Sequence, residues 1–193
     1  MSKAEQTKAF IIEKTAPLFN KKGYEGTSMN DIVEATGLTK GSIYGNFANK
    51  DEVALAVFDH NLQQVDSVIR REMSSRKSNR DKLLVYVEVY DNFAGCLPEG
   101  GCPILNTATE ADDTHPALRK KAHHAVNNWK NKMVSIINEG VRAKEFKPGV
   151  QAEDTALSLI ATIEGAIMLT KLTGKTSYRK SILQTVRTTI QQL

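Results

Sequence analysis

Apolar residues recur along most of this chain at intervals of three and four, the spacing that gathers them on one side of an α-helix. Between Lys3 and Lys22 the stripe is Phe10, Ile11, Lys14, Leu18 and Phe19, with Lys14 as its lone charged interruption. Met29, Ile32, Val33 and Ala35 give the next segment one buried side, and Ile43 with Phe47 do the same for a third. From Lys50 to about Met73 the period is held by Val53, Leu55, Ala56, Phe58, Leu62, Val65 and Ile69, which predicts a long rod. Asp81 to Ala94 differs in kind. Leu83, Leu84, Val85, Tyr86, Val87, Val89, Tyr90 and Phe93 leave it few polar sides, as in a helix central to a helical domain. Its β-branched valines would also suit a strand, but no partner strand pattern exists elsewhere in the chain. Periodic segments at Pro116–Lys144, Ala152–Leu172 and Ser177–Leu193 complete an all-α prediction.

The punctuation between the first segments is specific. Ser28 reads as a helix N-cap with Asp31 three positions on to return the bond, and Asp31 and Glu34 suit the positive half of that helix. Gly37 supplies a left-handed stop with Leu38 plugging the turn, and Thr39 caps the next helix. Asn49, with Glu52 completing its box, caps the one after. Lys40, Gly41, Ser42, Tyr44 and Asn46 are left for a separate face. A helix, a glycine turn and a short helix showing small polar residues outward form a helix-turn-helix pattern.

The order Phe19-x-x-x-Gly23-Tyr24-x-x-Thr27-Ser28, then Asp31-Ile32-x-x-x-x-Gly37-Leu38-x-x-Gly41-Ser42-Ile43-Tyr44-x-x-Phe47-x-x-Lys50, resembles the tetracycline-repressor (TetR) family of transcriptional regulators over residues 7–58. The resemblance implies a DNA-binding domain at residues 1–49 and a helical effector-binding and dimerisation domain at 50–193. It also implies a homodimeric repressor that leaves a palindromic operator when a small-molecule effector binds. On that reading Thr27, Ser28 and Lys50 hold phosphates, while Lys40, Gly41, Ser42, Tyr44 and Asn46 face the groove. Val33 and Gly45 depart from the family's usual small Ala and aromatic or His. A helical Gly costs about 1 kcal/mol relative to Ala, so the reading helix is expected to order fully only on DNA.

With 26 basic and 22 acidic side chains, the net charge of +4 permits nucleic-acid binding without requiring it. Met1 to Gln6 is polar and no unbroken apolar run of membrane-spanning length stands out, so neither a signal peptide nor a membrane span is expected. Two cysteines without a secretory signal fit a reducing cytoplasm. No nucleophile elbow, phosphate loop or zinc-protease helix is present, and His123 and His124 are neighbours that face different ways. An enzyme is not expected, and no cofactor is implied.

The most individual stretch is Gly95 to Pro116, where Gly95, Pro98, Gly100 and Gly101 force a turn between Cys96 and Cys102. Pro103 suits the first position of a short helix to about Ala111. One alternative follows: Cys102 at a helix start, with Cys96 to resolve it, would make a thiol-based redox or electrophile sensor. Cys96, Cys102, His115, His123 and His124 show no metal-binding spacing. An effector pocket is expected among Tyr86, Tyr90, Phe93, Cys102, Asn106, Trp129, Met133, Glu164 and Met168, where aromatic and Met side chains surround a few polar groups. Glu164, an acid on an apolar helix, is otherwise solvated at a dimer edge. A second alternative is an architectural helical protein that binds any duplex.

Overall fold

A computed structural model describes residues 2–92 and 98–193, so Phe93 and Cys96 lie outside the described residues. Every regular element among the described residues is helical. In chain order they are α1 (Lys3–Lys22), α2 (Met29–Thr36), α3 (Lys40–Tyr44), α4 (Lys50–Ser74), α5 (Asn79–Asp91), α6 (Pro103–Ala111), α7 (Pro116–Arg142), α8 (Ala152–Thr173) and α9 (Thr176–Gln192). The chain divides into two compact units, residues 1–64 with 98–123 and residues 65–97 with 124–193. This grouping places α6 and the start of α7 with the first helices, whereas the sequence suggested a division after residue 49. Both α4 and α7 contribute residues to each unit.

In the first unit, α1 starts in a reciprocal capping box between Ser2 and Glu5 and buries Ile11, Thr15, Ala16, Phe19 and Asn20. This corrects the predicted stripe. Phe10 and Lys14 stand on the outer face, where the Lys14 ammonium lies 5.8 Å from the Phe10 ring centre. The reason is angular: Ile11, Thr15 and Phe19 are spaced by four, and that row faces the core. The hydroxyl of Thr15 is satisfied by the Ile11 carbonyl at 2.7 Å, so a polar residue is buried without penalty. Phe19, Ile32, Ile43, Phe47, Val53, Val57 and Phe58 fill the space between α1 and α4.

The second unit is built round α5, whose Leu83, Val85, Tyr86, Val87, Val89 and Tyr90 are all buried while Glu88 faces out. The apolar-on-most-sides segment is therefore a central helix. It packs against α9, which also packs along α8, so that Ile163, Ile167, Leu183, Val186 and Ile190 close the core. At one end of the unit Glu145 acts as a remote cap for α5. Its carboxylate accepts from the Asn79 N–H at 2.7 Å and the Asn79 side-chain amide at 3.1 Å. Arg80 donates to the carbonyls of Glu145 and Ile190 and covers the Phe146 ring. Glu145→Ala strands the two Asn79 donors, and a loss of about 1–3 kcal/mol in chemical-denaturation stability is expected.

One helix departs from the expectation drawn from apolar runs. α8 is long and apolar enough to cross a membrane, because scattered Thr and Ser do not offset its Leu, Ile and Ala content. Here it packs as a core helix through Ala156, Leu159, Ile160, Ile163, Ala166, Ile167 and Thr170.

Candidate nucleic-acid interface

The α2–α3 pair is held by caps the sequence announced. Ser28 and Asp31 exchange both bonds of a capping box, at 3.1 Å and 2.7 Å. Lys22, Ser28 and the Ser28 backbone together hold the Asp31 carboxyl well below the usual carboxylate range. Its charge supports α2 at ordinary pH, and that support is lost only as pH falls below the normal carboxylate region. Gly37 closes α2 in the left-handed conformation with its N–H on the Val33 carbonyl. Thr39 then accepts from the Ser42 N–H at 3.2 Å to open α3.

Ile43 and Phe47 are buried beneath this turn, so rotation of α3 is fixed and the opposite face is fixed with it. That face carries Lys40, Gly41 and Tyr44, all exposed, with Ser42 half-buried beside them. Tyr44 is 51% exposed, unusual for a residue with so much apolar area to bury. Asn46 is folded back, its side-chain amide donating to the Ser42 carbonyl at 2.9 Å, and reading a base would require releasing it.

Two of the assigned phosphate contacts sit differently from expectation. Thr27 is fully buried and its hydroxyl donates to the Gly23 carbonyl at 2.7 Å, so the side chain shapes the entry to α2 instead of reaching outward. Lys50 is half-buried, donating to the Tyr24 carbonyl at 3.0 Å with its ammonium 3.9 Å from the Tyr24 ring centre. Ser28 stays exposed at the α2 N-terminus but is already bonded to Asp31. Lys8, outside the expected set, is exposed on α1 and lies 4.8 Å from the Phe47 ring centre.

α3 is a short, closed element. It ends at Tyr44, and the Gly45 N–H bonds to the Gly41 carbonyl at 2.9 Å with φ −70°. Nothing here requires glycine: an added Cβ at Gly45 meets only the Gly41 and Ser42 carbonyl oxygens, at 3.4 and 3.6 Å. Gly45→Ala is expected to raise thermal stability, by up to about 1 kcal/mol, with little change in fold.

In the same unit as α3, the turn after α1 is clasped from a distance. Glu110 of α6 accepts from the Tyr24 and Glu25 N–H groups at 2.8 and 2.9 Å. Asn20 donates to the carbonyls of Glu99 and Gly101, both at 2.9 Å. The side-chain amide of Asn106 in turn reaches the carbonyls of Asn20 and Gly100. Tyr24 donates its hydroxyl to Asp51, and burial, then that bond, push its pKa up to about 12. Its ring meets His115 edge-on, with centres 4.5 Å apart. Gly23 is where the clasp closes, at φ 75° and ψ −179°, a conformation nearly restricted to glycine. A Cβ there would lie 2.4 Å from the Glu110 carboxylate. Gly23→Ala is expected to cost about 1–3 kcal/mol in a thermal melt and to loosen α2 and α3 with it.

The residues expected to line an effector pocket do not gather in one place. Tyr86, Tyr90, Trp129 and Met133 come together, all buried, in the second unit. Tyr90 stacks on Trp129 with centres 5.2 Å apart and planes 7° from parallel, and Tyr86 lies 6.0 Å from Trp129. Cys102 and Asn106 belong to the first unit, where Asn106 is spent on the clasp. Met168 is 49% exposed because α8 turns it away from its buried row, and Glu164 is half-buried on the same helix.

A capped helix-turn-helix with an outward aromatic and basic face, joined to a helical unit with an aromatic core, defines a DNA-binding regulator. Comparison with known proteins makes the class specific. Residues 11–57 match the family described as bacterial regulatory proteins, tetR family, and residues 80–186 match the tetracyclin repressor-like C-terminal domain. A TetR-family transcriptional regulator from Cytophaga hutchinsonii is 48% identical with a TM-score of 0.95, covering 98% of this chain and 96% of that one. A TetR regulator from Chloroflexus aurantiacus is 36% identical, also at a TM-score of 0.95, covering 100% of this chain and 98% of that one. The transcriptional regulator TtgR of Pseudomonas putida is 29% identical over 171 residues, 85% of this chain and 80% of its own. The chain belongs to the TetR family of helix-turn-helix transcriptional regulators.

Proposed function

We propose that this protein is a cytoplasmic repressor that binds a palindromic operator as a homodimer and leaves it when a small molecule enters the second unit. The observation that carries the reading is the fixed, outward face of α3. Ile43 and Phe47 anchor one side while Lys40, Gly41, Ser42 and Tyr44 stand on the other. A helix held this way can enter a major groove with its first residues at the base edges. Asn46 joins them once released from Ser42. Ser28 lies at the flank for phosphate contact, Lys50 joins it on release from the Tyr24 carbonyl, and Thr27 supports them from within. Residues 1–49 form the reading head, and the rest of the chain dimerises and receives the effector.

Dimerisation is supported by α8. Leu157, Met168 and Leu172 are 45%, 49% and 79% exposed, and with Ala161 and Gly165 they make one apolar stripe. Gly165 is the informative member. A mid-helix glycine is unfavourable, and an added Cβ there would meet nothing within 4 Å in its own protomer. A second copy of α8 packing close against the stripe gives it a reason. Two reading heads would then address half-sites about one helical turn apart.

Release follows if the effector favours a state in which those heads no longer match the half-sites. α4 and α7 are the helices placed to carry such a change, since both run through the two units. Each is tied to the other twice, by Lys121 with Asp59 at 2.6 Å and by Lys132 with Asp66 at 3.0 Å.

The thiol-sensor alternative has less support. Cys102 is 1% exposed and makes no cap bond to α6 through its side chain. Cys102→Ser separates the readings, since an oxidant response that vanishes with it would favour the sensor. The repressor reading is tested with a reporter gene behind the chain's own upstream DNA. Co-expression should lower reporter output, and a chain with α3 altered should not; equal output in both cases would contradict repression.

A further inference from the structure

Two hydrogen-bond donors in the aromatic cluster of the second unit have no partner among the described residues. The Tyr86 hydroxyl and the Trp129 indole N–H are both sealed from solvent, and neither makes a hydrogen bond among the described residues. Their side chains are 1% and 6% exposed. Buried polar groups are paired in the great majority of proteins, and two adjacent exceptions of the same sign call for an explanation. Tyr86 and Tyr90 stand one turn apart on α5, Trp129 and Met133 one turn apart on α7, and both tyrosine rings stack on the Trp129 ring that carries the second donor.

The chemistry of the donors restricts what can satisfy them. Indole N–H donates only, and burial keeps the phenol protonated by pushing its pKa well above the usual value. Both therefore ask for an acceptor. An anionic acceptor would carry an uncompensated charge into a dry core, which costs far more than a neutral one. A cationic group would leave both donors unanswered. The surrounding rings and the adaptable Met133 favour a flat apolar body.

We infer, resting on the effector reading above, that the effector is a neutral, planar, largely apolar compound whose carbonyl-type oxygen accepts from Tyr86 and Trp129. The pair is closed off from solvent. Ligand entry moves side chains apart and at the same time answers two unsatisfied groups, so binding is coupled to a change of state.

The test uses three probes of one shape with the full-length protein in titration calorimetry: 2-acetylnaphthalene, 2-ethylnaphthalene and 2-naphthoate. The ketone should bind about tenfold or more tightly than the hydrocarbon, the value of one added hydrogen bond, and more tightly than the carboxylate. Tyr86→Phe and Trp129→Phe should each erase most of that preference. Tyr86→Phe should also leave the ligand-free melting temperature unchanged or raised, since it removes a polar group that has no partner. A bonded structural hydroxyl predicts the opposite shift. Equal affinity for ketone and hydrocarbon, tightest binding of the carboxylate, no ketone binding up to its solubility limit, or a lowered melting temperature in Tyr86→Phe would each overturn the inference. Operator release is followed in parallel. A ketone that binds through Tyr86 without releasing DNA would overturn the effector reading while leaving the site's chemistry intact.

Discussion

Gly165→Arg should leave the protomer folded and make it monomeric, with operator affinity falling by about 10²–10⁴-fold. The protomer tolerates the change because a side chain at position 165 points into open space, and any residue but proline improves helix propensity there. The dimer does not tolerate it. A long charged side chain in the middle of the Leu157–Leu172 stripe prevents close approach and puts an unpaired charge into an apolar contact. Affinity then drops because two linked heads bind with a high effective concentration at the second half-site, and a lone head has only its own contacts. Light scattering reads the oligomeric state, and circular dichroism confirms the fold. A dimer that survives the substitution would move the interface elsewhere.

Tyr44→Ala should weaken operator binding by about 1–3 kcal/mol in each half-site, so that the dimer feels it twice. Tyr44 is half exposed, packs on nothing the fold needs, and lies on the face opposite Ile43, so stability should change little. Lys40→Ala should behave differently. If it neutralises a phosphate, affinity falls evenly across sequences and the salt dependence becomes shallower by about one counterion per protomer. A titration at several salt concentrations separates the two outcomes. Tyr44→Ala binding as tightly as the parent would remove α3 as the reading element.

How far these elements could be read in advance depended on how local their causes are. The Ser28–Asp31 box, the Gly37 stop and the Thr39 cap are made within three or four residues, and the structure has each of them as the sequence implied. The helices of the second unit were legible for the same reason. Phe10 and Lys14 were misplaced because two rows on α1 offer similar apolar content, and only the position of Ile32 and Phe47 decides between them. The clasp on Gly23 was invisible. Glu110 is 86 residues from Tyr24, and no local pattern marks a glutamate that will cap a distant turn. Thr27 and Lys50 fit a DNA-contact pattern by residue type, yet both are engaged by backbone carbonyls. The effector set mixed two units because Cys102 and Asn106 follow the aromatic helix in sequence, while packing sends them to the other unit.

The most direct measurement of the central claim is sedimentation of the full-length protein with its own upstream intergenic duplex and with a scrambled duplex at one fixed salt concentration. The account predicts two chains per duplex and a preference for the upstream DNA of about 10³-fold or more. A single chain bound per duplex, or equal affinity for both duplexes, would contradict it.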